Sequence, residues 1–172
     1  MILQELAKIK VIVLDVDGVL TDGRVFVTET GEQLREFFVK DGYAMQLAIK
    51  SGLPLWVISG GTSESVRFRL QGLGLREIHI GVADKRQKLE ELLNVYQADW
   101  EDLLYVGDDI PDFDVMRSVG VPVCPADAVE EIKSISKYVS PFVGGRGAVR
   151  DIIEKVLKLQ GKWTVSSEVK SV

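Results

Sequence analysis

KVIVLDVDGVLTDG, residues 10 to 23, decides how the rest of the chain is read. Val11, Ile12, Val13 and Leu14 form an unbroken aliphatic run that stops at Asp15, followed closely by Asp17 and Gly18. A short apolar run of this kind predicts a strand buried on both faces, as in a parallel sheet. Open α/β sheets bind ligands beyond the carboxyl ends of such strands, which puts Asp15 and Asp17 at the mouth of the sheet. Gly18 gives the backbone room to turn close to a ligand. Two carboxylates this near each other resist joint ionisation unless a cation or a shared proton relieves them, a condition that a metal site meets. A polar turn uses the same residue types, so the stretch by itself leaves both readings open. An EF-hand loop fits worse: it wants a helix before it and glycine at its sixth position, whereas Gly18 follows Asp17 directly.

The chain has 172 residues, enough for one domain that buries roughly 70% of its unfolded surface. The 46% hydrophobic and 27% charged content is that of an ordinary globular protein. A net charge of −5 offers no electrostatic case for nucleic acid or an anionic membrane. The single Cys124 excludes an intramolecular disulfide framework and reads as a small buried hydrophobe. The first residues lack the pattern of a signal peptide, and no apolar run approaches the ~18 residues of a membrane span. The chain reads as cytoplasmic, with one domain over 1–172.

Outward from the first strand, apolar and polar residues alternate on both sides of Thr28-Glu29-Thr30-Gly31. This predicts a β-hairpin, Arg24 to Thr28 with Leu34 to Val39, forming a flap over about 24–39. Lys40, Asp41 and Gly42 lead into a helix with Ala44, Leu47 and Ala48 on one face. Residues 54–59, 77–81, 102–109 and 121–125 read as four more strands. Helices are expected after Thr62 or Ser63, from Asp84, after Pro111, over about 128–136 and over about 148–160. Val149, Ile152, Ile153, Val156 and Leu157 make the apolar stripe of the last one. The tail, 161–172, has no clear period. Alternating strands and helices predict a Rossmann-like three-layer α/β/α fold around a parallel sheet.

Four features stand at predicted strand or helix ends: Asp15 with Asp17, Ser59, Lys85, and Asp108 with Asp109. Brought to one sheet edge, they suit phosphoryl transfer to a carboxylate. Asp15 serves as nucleophile. Asp17 protonates the leaving oxygen and then deprotonates the attacking water. Ser59 and Lys85 hold the phosphoryl oxygens, and Asp108 with Asp15 holds Mg²⁺. Each piece has an ordinary structural use as well: Ser59 as a turn residue, Lys85 as a solvated helix residue, Asp108 and Asp109 as acids at a helix N-terminus. His79 reads as structural. The order of the pieces carries the argument.

In that order, DVDGVLTD, VISG, DK and GDDIPD, the chain resembles the haloacid dehalogenase superfamily of Mg²⁺-dependent phosphotransferases over about residues 8–151. The resemblance adds the Asp17 backbone carbonyl as a metal ligand and gives Asp109 and Asp112 supporting roles in the metal loop. A narrower resemblance is to the 3-deoxy-D-manno-octulosonate 8-phosphate phosphatases. It rests on the short hairpin, FFVKDG at 37–42, the SGG segment reaching Arg69, and GGRGAVR at 144–150. That branch lacks a large cap domain and forms homotetramers in which a neighbour's hairpin and C-terminal segment close the site. By this resemblance Gly18, Lys40, Asp41, Gly42, Ser59, Gly60, Arg69 and Lys85 contact a sugar acid phosphate.

Two departures bear on specificity. Gly61 and Gln46 stand where that branch usually carries arginine, which removes bidentate carboxylate recognition. The expected reaction is hydrolysis of the eight-carbon sugar acid phosphate in lipopolysaccharide precursor synthesis. The alternatives are the same chemistry on a nine-carbon, sialic-acid-like acid phosphate, and a receiver-like phospho-acceptor module.

Overall fold

The computed structural model describes residues 2–164 and residue 169. Helix α1 (Ile2–Lys8) precedes β1 (Val11–Leu14), and a two-stranded hairpin, β2 (Phe26–Val27) and β3 (Gln33–Leu34), follows. Then come α2 (Val39–Lys50), β4 (Leu55–Ile58), α3 (Glu64–Gly72), β5 (Glu77–His79) and α4 (Lys85–Tyr96). The chain continues through β6 (Leu103–Val106), a single 3₁₀ turn (Ile110–Asp112), α5 (Phe113–Met116), β7 (Val121–Cys124), α6 (Glu130–Ile135), β8 (Tyr138–Val139) and α7 (Ala148–Leu159). Among the described residues no helix is long and apolar enough to cross a membrane.

The main sheet runs β5-β4-β1-β6-β7-β8, and all its pairings are parallel. The period of two along each strand separates its side chains into two layers. Ile12, Leu14, Leu55, Val57, Leu104 and Val106 face the layer of α1, α2, α3 and α7. Val11, Val13, Trp56, Ile58, Leu103 and Tyr105 face α4, α5 and α6. This is the three-layer α/β/α arrangement that the strand–helix alternation predicts. After β5 the chain returns across β1 to start β6 on its other side. Winding therefore reverses at the β1/β6 pair, where open α/β sheets form their crevice.

The hairpin is shorter than its alternation predicts. Pairing is limited to Phe26↔Leu34 and Val27↔Gln33, with the Thr28 amide on the Glu32 carbonyl closing the turn. Residues 35–38 run on unpaired, and Val39 already begins α2 instead of ending a strand. The side chains of Phe26, Val27 and Leu34 are exposed, so no core beneath the ribbon rewards further pairing, and Phe37 turns onto the main core. Helix α6 and strand β5 are also shorter than expected, while α1 and β8 are additions.

Candidate active site

The apolar run of β1 delivers Asp15 to the carboxyl edge of the sheet, where its amide donates to the Val106 carbonyl at 3.1 Å. Register with β4 and β6 brings Ser59 up on one side and Asp108 on the other. The resulting cleft has a volume of about 600 Å³ and is lined by Asp15, Asp17, Gly23, Ser59, Gly60, Gly61, Lys85, Asp108, Asp109 and Asp112. Four predicted groups thus converge.

Lys85, the first residue of α4, is 7% exposed at its side chain and bridges two carboxylates: Asp15 Oδ1 at 2.9 Å and Asp112 Oδ1 at 2.7 Å. Burial alone would strip its proton, but the carboxylates of Asp15 and Asp112 outweigh that and raise its pKa. Asp112 is fully engaged. Its Oδ1 also accepts from the Tyr105 hydroxyl at 2.7 Å, and its Oδ2 accepts from the Asp108 amide at 3.3 Å. Asp109 is exposed and caps the 3₁₀ turn by accepting from the Ile110 amide.

Asp15, Asp108 and Asp112 each offer an oxygen within 4.8 Å of the others. Burial, and then the Asp112 charge, push Asp15 up to about 7 against the pull of Lys85. Burial followed by Asp15, Asp112 and Asp109 pushes Asp108 to about 7. Such a cluster is unfavourable without a cation and suits a hard divalent one. Because Asp112 is already committed to Lys85, Tyr105 and the Asp108 amide, Asp15 and Asp108 are the carboxylates left to bind. Gly18 has φ +85, and a Cβ there would overlap the Asp108 carboxylate, so only glycine lets the two loops approach.

Arg35 carries no signal in the sequence, and the bracing role of Gly144 and Gly145, which open the GGRGAVR stretch, is visible only in the fold. Arg35, just past β3, lays its guanidinium on Asp17: Nε to Oδ1 at 2.6 Å and Nη2 to Oδ2 at 3.1 Å. Gly144 and Gly145 brace the Asp15–Gly23 loop. A Cβ on Gly144 would overlap the Gly18 carbonyl, and the Gly145 amide donates to Val19 O at 3.0 Å. Tyr105 could have been found by alternation, which sets it on the same sheet face as Leu103 and toward Asp112.

Ser59 is buried beside the cleft and accepts the Gly61 amide at 3.2 Å. Four expected substrate contacts lie outside the cleft of the single chain. Asp41 is 2% exposed and holds the start of α7, accepting from the Gly147 amide at 3.4 Å and the Arg150 amide at 2.8 Å. Gly42 faces Arg69 and Leu73 across the α2–α3 contact. Lys40 lines a separate groove with Phe38, Phe142, Arg146 and Arg150. Most of the tail expected at a neighbour's site lies outside the described residues.

A family model described as haloacid dehalogenase-like hydrolase matches residues 63–153. Curated relatives extend the match over both acidic loops. The 3-deoxy-D-manno-octulosonate 8-phosphate phosphatase of Yersinia pestis is 36% identical over 161 residues, covering 94% of this chain and 86% of that protein. The chain belongs to the haloacid dehalogenase-like hydrolases. Within that family, the octulosonate phosphatase of Escherichia coli strain K12 is 38% identical over 154 residues, covering 90% of this chain and 82% of that one. Among solved hydrolases, the Yersinia pestis phosphatase superposes with a TM-score of 0.91 at 36% identity, over 93% of this chain and 86% of its own. The Moraxella catarrhalis phosphatase, solved with a magnesium ion, a phosphate ion and a KDO molecule, gives 0.90 at 34% identity over 93% and 92%.

Proposed function

We propose that the chain is a Mg²⁺-dependent phosphomonoesterase hydrolysing 3-deoxy-D-manno-octulosonate 8-phosphate to the free sugar acid and phosphate, as a step in lipopolysaccharide precursor synthesis. The observation that carries this is Asp15 at the β1/β6 crevice, held by Lys85 and facing Asp108, together with similarity to octulosonate phosphatases over more than nine-tenths of the chain. Asp15, Asp108 and the Asp17 backbone carbonyl are the groups to hold Mg²⁺. When bound, the ion supplies charge neutralisation that lets a carboxylate approach a phosphate dianion.

The chain's own residues do the rest. An Asp15 oxygen attacks phosphorus as the bond to the sugar oxygen breaks, and Asp17 gives that oxygen its proton. Lys85 and the Ser59 hydroxyl hold the phosphoryl oxygens as charge builds on them. Asp17, now a carboxylate, takes a proton from water as that water attacks the aspartyl-phosphate, which frees Asp15 and phosphate. Asp112 and Tyr105 act one step back, fixing Lys85 and the Asp108 loop.

The assembly we propose is a cytoplasmic homotetramer of a single domain over 1–172. The exposed apolar hairpin supports it, with Phe26 at 68% and Val27 at 60% exposure. In the tetramer a neighbour's hairpin and C-terminal segment would close the cleft, and Lys40 and Arg69 are the expected contacts left to meet a neighbour's substrate, whereas Asp41 and Gly42 are buried in the packing of α2.

Phosphate release with Mg²⁺ from the eight-carbon acid phosphate, a nine-carbon acid phosphate and an aryl phosphate tests this reading. A large kcat/KM preference for the eight-carbon acid is expected, with Asp15→Asn inactive because an amide is not a nucleophile. Preference for the nine-carbon acid would reassign the substrate. Appreciable turnover by Asp15→Asn would remove the mechanism, and a stable phospho-protein without turnover would favour a receiver-like module.

A further inference from the structure

Both oxygens of Asp17 are occupied by one guanidinium, in the side-by-side geometry that arginine offers any carboxylate. The Arg35 side chain is 7% exposed, although the backbone around it is solvated, so it is a built contact and not a passing surface pair. Under the reading above, Asp17 must reach a leaving oxygen, which it cannot do while each of its oxygens faces a guanidinium N–H. Something has to take Arg35 away from it. Charge in the cleft narrows the choice. Five aspartates line it, and Lys85, its only cationic lining residue among those described, sits between Asp15 and Asp112 and under the reading above serves the phosphoryl oxygens. Arg35 is therefore the cation within reach that can exchange partners. The site leaves space for the exchange: a Cβ on Gly61 would lie 3.5 Å from Asp17 Oδ2 and 3.6 Å from Arg35 Nη2, so glycine keeps the ground beside the guanidinium open.

We infer that Arg35 is the residue that recognises the carboxylate of the substrate. The incoming acid group replaces Asp17 on the guanidinium fork and frees Asp17 to face the leaving oxygen. Asp17 thus acts as a stand-in for the substrate's own carboxylate, and the enzyme selects acidic sugar phosphates over neutral ones. The inference rests on the phosphatase reading for its chemistry, but the binding it describes can be tested apart from turnover.

The experiment compares wild type, Arg35→Lys and Arg35→Ala on two substrates, the eight-carbon sugar acid phosphate and a neutral sugar phosphate without a carboxylate. The readout is the ratio of kcat/KM between them. Loss of a bidentate charged contact is on the order of 30-fold, so Arg35→Ala should lower the ratio at least fivefold, chiefly through KM for the acid. Arg35→Lys, which keeps the charge but loses the fork, should lie between. A ratio changed less than fivefold, with both substrates losing alike, would show that Arg35 only positions Asp17 or serves the phosphoryl group, and would overturn the inference. Calorimetric binding of the free octulosonate to wild type and Arg35→Ala separates the two readings. If no phosphate ester turns over, the phosphatase reading fails, while weaker acid binding by Arg35→Ala still supports this inference and equal binding still refutes it.

Discussion

Gly18 and Tyr105 set the acidic cluster from opposite sides. A side chain at residue 18 meets the Asp108 carboxylate and also needs a left-handed backbone, so Gly18→Ala should displace one of the two carboxylates proposed to hold the metal. The expected result is a Mg²⁺ affinity lower by on the order of tenfold and a stability cost of about 1–3 kcal/mol; magnesium titration by calorimetry checks it, and unchanged affinity would contradict it. Tyr105 donates to a wholly buried Asp112 oxygen. Tyr105→Phe removes that donor but leaves Lys85 on the same atom, so a loss of about 1–2 kcal/mol is expected in urea unfolding, with the fold retained.

At the scale of elements, helix α7 is tied to α2 by Asp41, whose carboxylate takes two amides at the start of α7. Burial pushes this carboxyl up to about 6 against the help of those amides and of Arg150. Asp41→Ala should cost about 1–2 kcal/mol, as loss of a helix N-terminal acceptor does. Asp41→Asn keeps an acceptor and removes the buried charge, so it should cost less at neutral pH; urea unfolding of the three proteins at pH 7 ranks them, and the reverse order would contradict the assignment. The sequence motif KDG shows its residue types openly. It does not show that Asp41 points inward to a helix more than a hundred residues later, because that depends on the packing of α2 on α7.

For the whole molecule, pH and metal oppose each other. Without a cation, Asp15 and Asp108 keep their protons to about pH 7, against 3.8 for a free side chain. The folded chain then binds protons more tightly than the unfolded one, so these groups favour folding in acid and lose that contribution as pH rises from about 4 through 7. Magnesium needs the ionised pair, so the rise in Tm on adding it should be larger at about pH 8 than at about pH 6. Equal shifts measured by calorimetry at both values would contradict the assignment of these carboxylates to the metal. The strands around this cluster were legible in the sequence because Val11–Leu14, Leu55–Ile58 and Leu103–Val106 are buried on both faces and each stops at a polar residue or glycine. Arg35 was not legible. Its direction is set by a two-residue ribbon with no core beneath it, and nothing in local periodicity distinguishes it from a solvated arginine.

The bracing of the Asp15–Gly23 loop by Gly144 and Gly145 has a consequence during synthesis. The acidic residues of both loops are made before the surface on which the first loop rests, because Gly144 and Gly145 follow Asp15 by more than a hundred residues. A nascent chain stopped between Asp112 and Gly144 would carry the whole chemical set without the backbone contacts that hold it in place, so the catalyst is complete only once that distant glycine pair has been added.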